Sequence, residues 1–234
     1  MTTETDNQEL VNIPDANSMK LSTQSAESIM ETMATADEVR SITEAYDQPF
    51  YLFGEDRAHG IHWFDAIPRH WVTEKDQHLS VFNGTTSPGE VYCFQIGVYA
   101  PDQSIGELSV GSSDLRTGER CIVAANVECL SIDGIDFMGE RFKKTLTVET
   151  GCVQTLWIAI SIPLDARGVY SSTITVTAAG SGTQQLDLNL EVSGEPVKNG
   201  GDTDAWRLSR LRWLNSTLGL DDDSVPAPYH PLSR

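Results

Sequence analysis

The sequence predicts an all-β fold, an antiparallel sandwich of the immunoglobulin or jelly-roll kind. Three observations carry this. Runs rich in β-branched and aromatic residues recur at short spacing between residues 90 and 194. Turns rich in Gly, Pro and Ser separate them, and almost no helical periodicity lies between them. A chain of 234 residues can bury a sufficient core without a covalent staple.

Taken in order, "EVYCFQIGVYA" (residues 90–100) follows the turn "TTSPG" and is apolar almost throughout. "IGELSVGSSD" (105–114) is a weaker strand. "ANVECLSIDGID" (125–136) alternates, with Val127, Cys129, Ser131 and Asp133 on one face and Leu130 and Ile132 on the other. "RFKKTLTVETG" carries the alternation on through Phe142 and Val148. "CVQTLWIAISIP" (152–163) is the most apolar run and places Trp157 in the core. "GVYSSTITVTAAG" and "TQQLDLNLEVSG" form a hairpin across a glycine-rich turn. In its second strand Leu186, Leu188, Leu190 and Val192 face inward, while Asp187, Asn189 and Glu191 face water.

Both flanks differ in composition from this middle. Residues 1–48 hold ten acidic residues against Lys20 and Arg40 and few aromatics, so they read as a disordered acidic segment. Within it, Ile29, Met33 and Ile42 are spaced for a short amphipathic helix. The sandwich is assigned to 49–204, beginning where aromatic content rises in "QPFYLFGEDRAHGIHWFDAIPRHWV". Gly60 and Pro68 make that stretch an extended or irregular entry. Residues 205–234 read as a junction segment. Asp204 as N-cap, Leu211, Leu214 and Leu218 at helical spacing, and Gly219 as a stop predict a short helix. Its Leu211, Trp213 and Leu214 are expected to pack inward, and a proline-spaced linker follows.

Charge and motif content narrow the function. With 34 acidic and 16 basic residues, the chain lacks the cationic face that nucleic acid or an anionic membrane requires. No stretch approaches the roughly 18 apolar residues of a membrane span. The N-terminus shows no secretory pattern, which predicts a cytoplasmic protein as written, or an extracytoplasmic one if the natural N-terminus lies further upstream. No nucleophile elbow, phosphate loop or dinucleotide fingerprint occurs, and no cofactor is expected.

Cys93, Cys121, Cys129 and Cys152 have no metal-type spacing and read as buried thiols, with a disulfide between facing strands as the alternative. His59, His62 and Asp65 would share a helical face, but the intervening glycine and nearby proline argue against a metal site. Trp63 and Trp71 are the candidate ligand-binding platforms for a glycan. Asp221, Asp222 and Asp223 read as a solvated turn rather than glycosidase acids.

Five stretches carry a resemblance: "EVYCFQIGVYA", "CLSIDGIDFMGERF", "VQTLWIAISIPLDARGVYSSTITV", "LEVSGEPV" and above all "WRLSRLRWLNSTLGLDDDSVPAPYHPL". From about residue 61 to 232 the chain resembles the N-terminal β-sandwich domain of family 123 glycoside hydrolases. The resemblance implies a following (β/α)8 barrel, where an Asp–Glu pair acts with the substrate's N-acetyl group on β-N-acetylgalactosaminides. No residue of this chain corresponds to that pair. The implied role is a non-catalytic accessory domain whose partner is the barrel, with Arg207, Arg210, Arg212, Trp213, Asp221, Asp222 and Asp223 at the interdomain contact. A carbohydrate-binding module is the alternative.

Overall fold

A computed structural model describes residues 29–62, 66–217, 225, 229 and 230. In chain order the elements begin with α1 (Ala36–Ala45), β1 (Tyr51–Glu55), α2 (Arg69–Thr73) and α3 (Lys75–His78). Next come β2 (Val81–Thr86), β3 (Val91–Tyr99), β4 (Leu108–Ser112), β5 (Leu115–Thr117) and β6 (Arg120–Ile122). The remaining strands are β7 (Val127–Cys129), β8 (Asp133–Ile135), β9 (Arg141–Lys143), β10 (Val153–Ser161), β11 (Gly168–Ala178) and β12 (Gly182–Val192). Two 3₁₀ segments, Ala205–Arg207 and Ser209–Asn215, close the described chain.

The strands build an all-β sandwich. One sheet has the order β1-β3-β10-β7, antiparallel throughout. The other runs β2-β12-β11-β5-β6, with β4 also on β11. Its hairpin β11–β12 pairs over the full length of both strands, from Gly168 opposite Val192 to Ala178 opposite Gly182. Alternating side chains from the two sheets meet in one core: Phe94, Ile96, Leu156 and Ile158 against Ile174, Val176, Leu186 and Leu188.

Several expectations change on folding. β2, whose sequence "VFNGTT" is too polar to read as a strand, pairs in parallel with β12. The alternation predicted across 125–136 breaks after Cys129: Ile132 joins the sandwich core, whereas Leu130, expected on the same face, packs with Val91 and Cys93 on the outer side. Only β8 and β9 continue it, as a separate two-stranded hairpin. The entry stretch is partly helical, because Pro68 fits the start of α2. Of the short helix expected through Ile29, Met33 and Ile42 in the acidic segment, α1 realises the part around Ile42, while Ile29 precedes it and is 48% exposed. Thr35 and Glu38 close a capping box at its start, and the polar sequence hides two anchors, Met30 and Ile42, 1% and 3% exposed.

Strand β3 is buried at every residue, and this organises the rest. Its inner face joins the sandwich core. Part of the outer face lies under an N-terminal layer in which Met30, Ile42, Ile67 and Trp71 pack on Phe53 and Tyr99. The other part, Val91 and Cys93, lies under Leu208 and Leu211 of the C-terminal segment. A sheet covered on both sides explains the unbroken apolar run of its sequence. Trp157, predicted for the core, is half-buried on this outer face beside Leu208 and Leu211.

All four cysteines are free, so the disulfide alternative is not realised. Cys93 is buried as expected, whereas Cys121 is exposed and Cys129 and Cys152 are intermediate. Burial pushes the Cys93 thiol up to about 12 and the Cys129 thiol up to about 11. Among the described residues no helix is long and apolar enough to cross a membrane.

Two predictions follow from this packing. A Cβ on Gly97 would sit 2.5 Å from the Trp71 ring, so Gly97→Ala should cost about 1–3 kcal/mol, measured by urea denaturation. A thiolate-directed reagent should label Cys121 in the native protein and Cys93 only after unfolding, followed by mass spectrometry of the labelled peptides.

Candidate functional site

Of the junction segment predicted over residues 205–234, the stretch 205–215 is a fixed part of the sandwich. Two buried carboxylates hold it there. Glu90, at the head of β3, is 0% exposed. Its carboxylate accepts hydrogen bonds from Arg57, from Arg207 Nη1 (2.6 Å), from Thr86 Oγ1 and from the Ser87 N–H (both 3.0 Å). Arg57 Nη1 also donates to the Arg207 carbonyl at 2.9 Å, which ties the loop after β1 to the C-terminal segment. Arg207 is fixed further by Nε donating to Asp204 Oδ2 at 2.9 Å.

Asp202 is the second anchor, 2% exposed. Arg212 meets both of its oxygens, with Nη2 2.6 Å from Oδ2. Ser209 Oγ donates to Oδ1 at 2.9 Å, and Arg210 Nε donates to the Asp202 carbonyl at 2.8 Å. The segment is 3₁₀ rather than the predicted helix, because Leu208 takes a left-handed conformation (φ 55°) and divides it. Asp204 makes no side-chain cap there; its carboxylate is taken by Arg207.

The arginines expected to border a neighbouring domain therefore turn the other way. Arg207 and Arg212 are spent on Glu90 and Asp202, and buried acids are the physical reason. Arg210 lies over the rings of Trp213 and Tyr229 at 5.8 and 5.4 Å and donates to Tyr229 Oη at 3.1 Å. Leu211 packs inward as predicted, whereas Leu214 is 58% and Trp206 63% exposed. A groove of about 440 Å³ opens here, lined by Leu208, Leu211, Trp213 and Leu214 with little polar surface. Asp221, Asp222 and Asp223, with Leu218 and Gly219, lie outside the described residues.

The proposed glycan platforms fare differently from one another. Trp71 is 0% exposed, stacks on Phe53 at 4.9 Å and donates Nε1–H to Glu55 Oε2 at 2.8 Å, so it offers no face to a sugar. Trp63 lies outside the described residues. Trp206 is open to solvent, but the guanidiniums of Arg57 and Arg207 lie over its ring at 4.9 and 4.4 Å.

Sequence reasoning missed Glu90, Asp202, Arg57 and Glu55. Each is an isolated charge beside a turn or apolar run, and burial alone distinguishes it from a surface residue. The histidine cluster is also rearranged. His70 and His78 converge on Glu55, while His59 stands between Glu55 and Asp56, with Nδ1 3.0 Å from Asp56 Oδ1. Burial alone would raise the Glu55 pKa, but hydrogen bonds from His70, Trp71 and the Asp56 N–H outweigh it and hold the carboxyl below its ordinary value.

Removing the carboxylate of Glu90 would strand two guanidiniums that are 11% and 12% exposed. Glu90→Ala should therefore cost about 3–5 kcal/mol in urea denaturation, and Arg207→Lys less, since it keeps the charge while losing the fork.

No protein-family model matches the chain, and no curated protein matches it. Among solved structures, the chain is similar to a family 123 glycoside hydrolase from Clostridium perfringens. That likeness has 19% identity and a TM-score of 0.47, covering 63% of this chain and 28% of that one. A PapD-like domain of human CEP192 is 16% identical at a TM-score of 0.28, over 50% of this chain and 83% of that one. The periplasmic chaperone SfaE is 9% identical at a TM-score of 0.32, over 51% and 58% of the two chains.

Proposed function

We propose that the chain is a non-catalytic β-sandwich module of a glycoside hydrolase, and that it seats and orients a (β/α)8 catalytic barrel. One observation carries this. The segment 205–215 is bolted to the sandwich by Glu90 and Asp202, yet it presents an open apolar groove with Leu214 and Trp206 outward. Large apolar side chains on a rigidly held segment, rather than on a loose tail, suit a permanent partner. The resemblance of "WRLSRLRWLNSTLGL" to the family 123 sandwich names that partner. The glycan-binding alternative is weakened by the burial of Trp71 and by the guanidiniums over Trp206.

The test uses a polypeptide in which this chain is followed by a family 123 type barrel. Leu214→Asp should weaken the contact by about 2–3 kcal/mol, splitting one cooperative thermal transition into two and lowering hydrolysis of an aryl N-acetylgalactosaminide. The same change in the sandwich alone should leave its own unfolding unchanged, because Leu214 is already exposed there. An unaltered two-domain transition with unaltered turnover would contradict the proposal, and so would saturable glycan binding that Leu214→Asp abolishes.

A further inference from the structure

The sandwich leaves part of one sheet edge unpaired. Strand β2 stands at the end of its sheet, with β12 on one side. The Asp187 N–H donates to the Ser80 carbonyl at 2.9 Å, and the Ser193 N–H to the Thr86 carbonyl at 3.0 Å. In this parallel register the even-numbered residues of β2 bond to β12, so the N–H and C=O of Asn83 and Thr85 point away from it. β1 closes on the start of that outer edge, where a Cβ on Gly54 would stand 2.4 Å from the Val81 carbonyl. Further along, the edge opens into a cavity of about 490 Å³, lined by Asn83, Gly84, Thr85, Asp56, Tyr92 and Trp206. Among the described residues nothing takes up the main-chain groups of Asn83 and Thr85 there. Such an edge is a template for another backbone.

Two side chains in this cavity lack counterparts. Tyr92 is 3% exposed, and its hydroxyl makes no hydrogen bond among the described residues. It reaches the cavity beneath Gly84, where a Cβ would stand 2.5 Å from Oη. Glycine at 84 is what leaves room for it, as strand glycines do where another group approaches closely. Burial raises the Tyr92 pKa, so the phenol stays protonated and can donate as well as accept. Asp56, 45% exposed, uses Oδ1 to accept from the Ala58 and His59 N–H groups at 2.7 and 3.0 Å. Its Oδ2 accepts no hydrogen bond among the described residues. Arg57 also lines the cavity, but Glu90 holds its guanidinium, so Asp56 sets the sign of the charge at the mouth.

We propose that the edge of β2 across Asn83, Gly84 and Thr85 binds a short extended peptide of a partner protein as an added strand, with a lysine or arginine of that peptide at Asp56. Main-chain donors and acceptors in alternation are what a second extended backbone complements. A polar side chain of the added strand meets the Tyr92 hydroxyl, and Trp206 and Leu208 form an apolar wall for its neighbour. A net charge of −18 draws a cationic segment toward the site. Leu214 does not line this cavity, so the site stands apart from the surface assigned to the barrel.

Random heptapeptides displayed on phage are selected on the immobilised whole chain, and an enriched sequence is synthesised and titrated by calorimetry. Expected is enrichment of peptides carrying Lys or Arg. In the complex, amide exchange at Asn83 and Thr85 should slow by about tenfold or more, while Gly84, already bonded to β12, changes little. Thr85→Pro removes one outward N–H at an edge position that tolerates proline, and should weaken binding about tenfold. Asp56→Asn, which can still accept from Ala58 and His59, should weaken it about three- to tenfold and flatten its salt dependence. Tyr92→Phe should leave the thermal midpoint unchanged, since the hydroxyl has no partner to lose, and weaken binding about threefold. Where Thr85→Pro fails to fold, the same peptide N-methylated at alternate residues decides the matter on the native chain, with a loss of about tenfold or more expected. Failure to enrich any peptide would overturn the proposal. So would binding that N-methylation leaves intact, or binding that a free monosaccharide displaces, since the cavity would then take a sugar. Leu214→Asp should leave peptide binding unaltered, which separates this outcome from that of the barrel contact.

Discussion

Glu90 has no access to water, and its charge must be met where it lies. Arg57 reaches it from the loop after β1 and Arg207 from the C-terminal segment, so one carboxylate draws together parts of the chain 150 positions apart. Glu90 also stands at the head of β3, the strand buried on both faces. The ion cluster thus fixes where the C-terminal segment crosses the outer face, and hence which apolar residues of β3 and β10 it covers. Remove the cluster, and Val91, Cys93 and Ala159 lose the cover of Leu208 and Leu211. The apolar contact is non-directional; the charged hydrogen bonds give it a register.

Much of the sandwich was legible in the sequence. β3, β10, β11 and β12 follow from apolar runs and alternation, and the glycine turn between the last two follows from its composition. What was not legible shares a cause. β2 is an edge strand whose residues look like loop, and its place depends on β12, about a hundred residues away. The short helix expected around Ile42 forms as α1, but its bounds are hidden by a polar sequence that mostly faces solvent, with Ile42 its buried side chain. The left-handed Leu208 that divides the C-terminal segment is imposed by packing and has no local sequence signal.

The site was legible in position but not in orientation. The cluster of arginine, tryptophan and leucine at 205–215 packs as a fixed segment on the outer face of the sandwich. Which side chains face which way depended on acids that no local pattern announces. Arg207 and Arg212, which the resemblance places at an interdomain contact, are drawn onto the sandwich by the buried carboxylates of Glu90 and Asp202. The apolar character of Leu214 predicts an inward side chain, and it lies 58% exposed. Trp71, a candidate platform by its aromatic ring, fills the space that Gly97 leaves open.

The central claim is that residues 200–215 belong to the sandwich as firmly as its strands do, and so present their groove in a fixed orientation. Amide hydrogen exchange of the isolated chain tests this most directly. If the claim holds, the bonded amides of this segment, among them Gly201, Arg207 and Leu211, exchange with protection close to that of the strand amides of β3 and β10. Exchange at the rate of an unstructured peptide, while β3 and β10 stay protected, would contradict it.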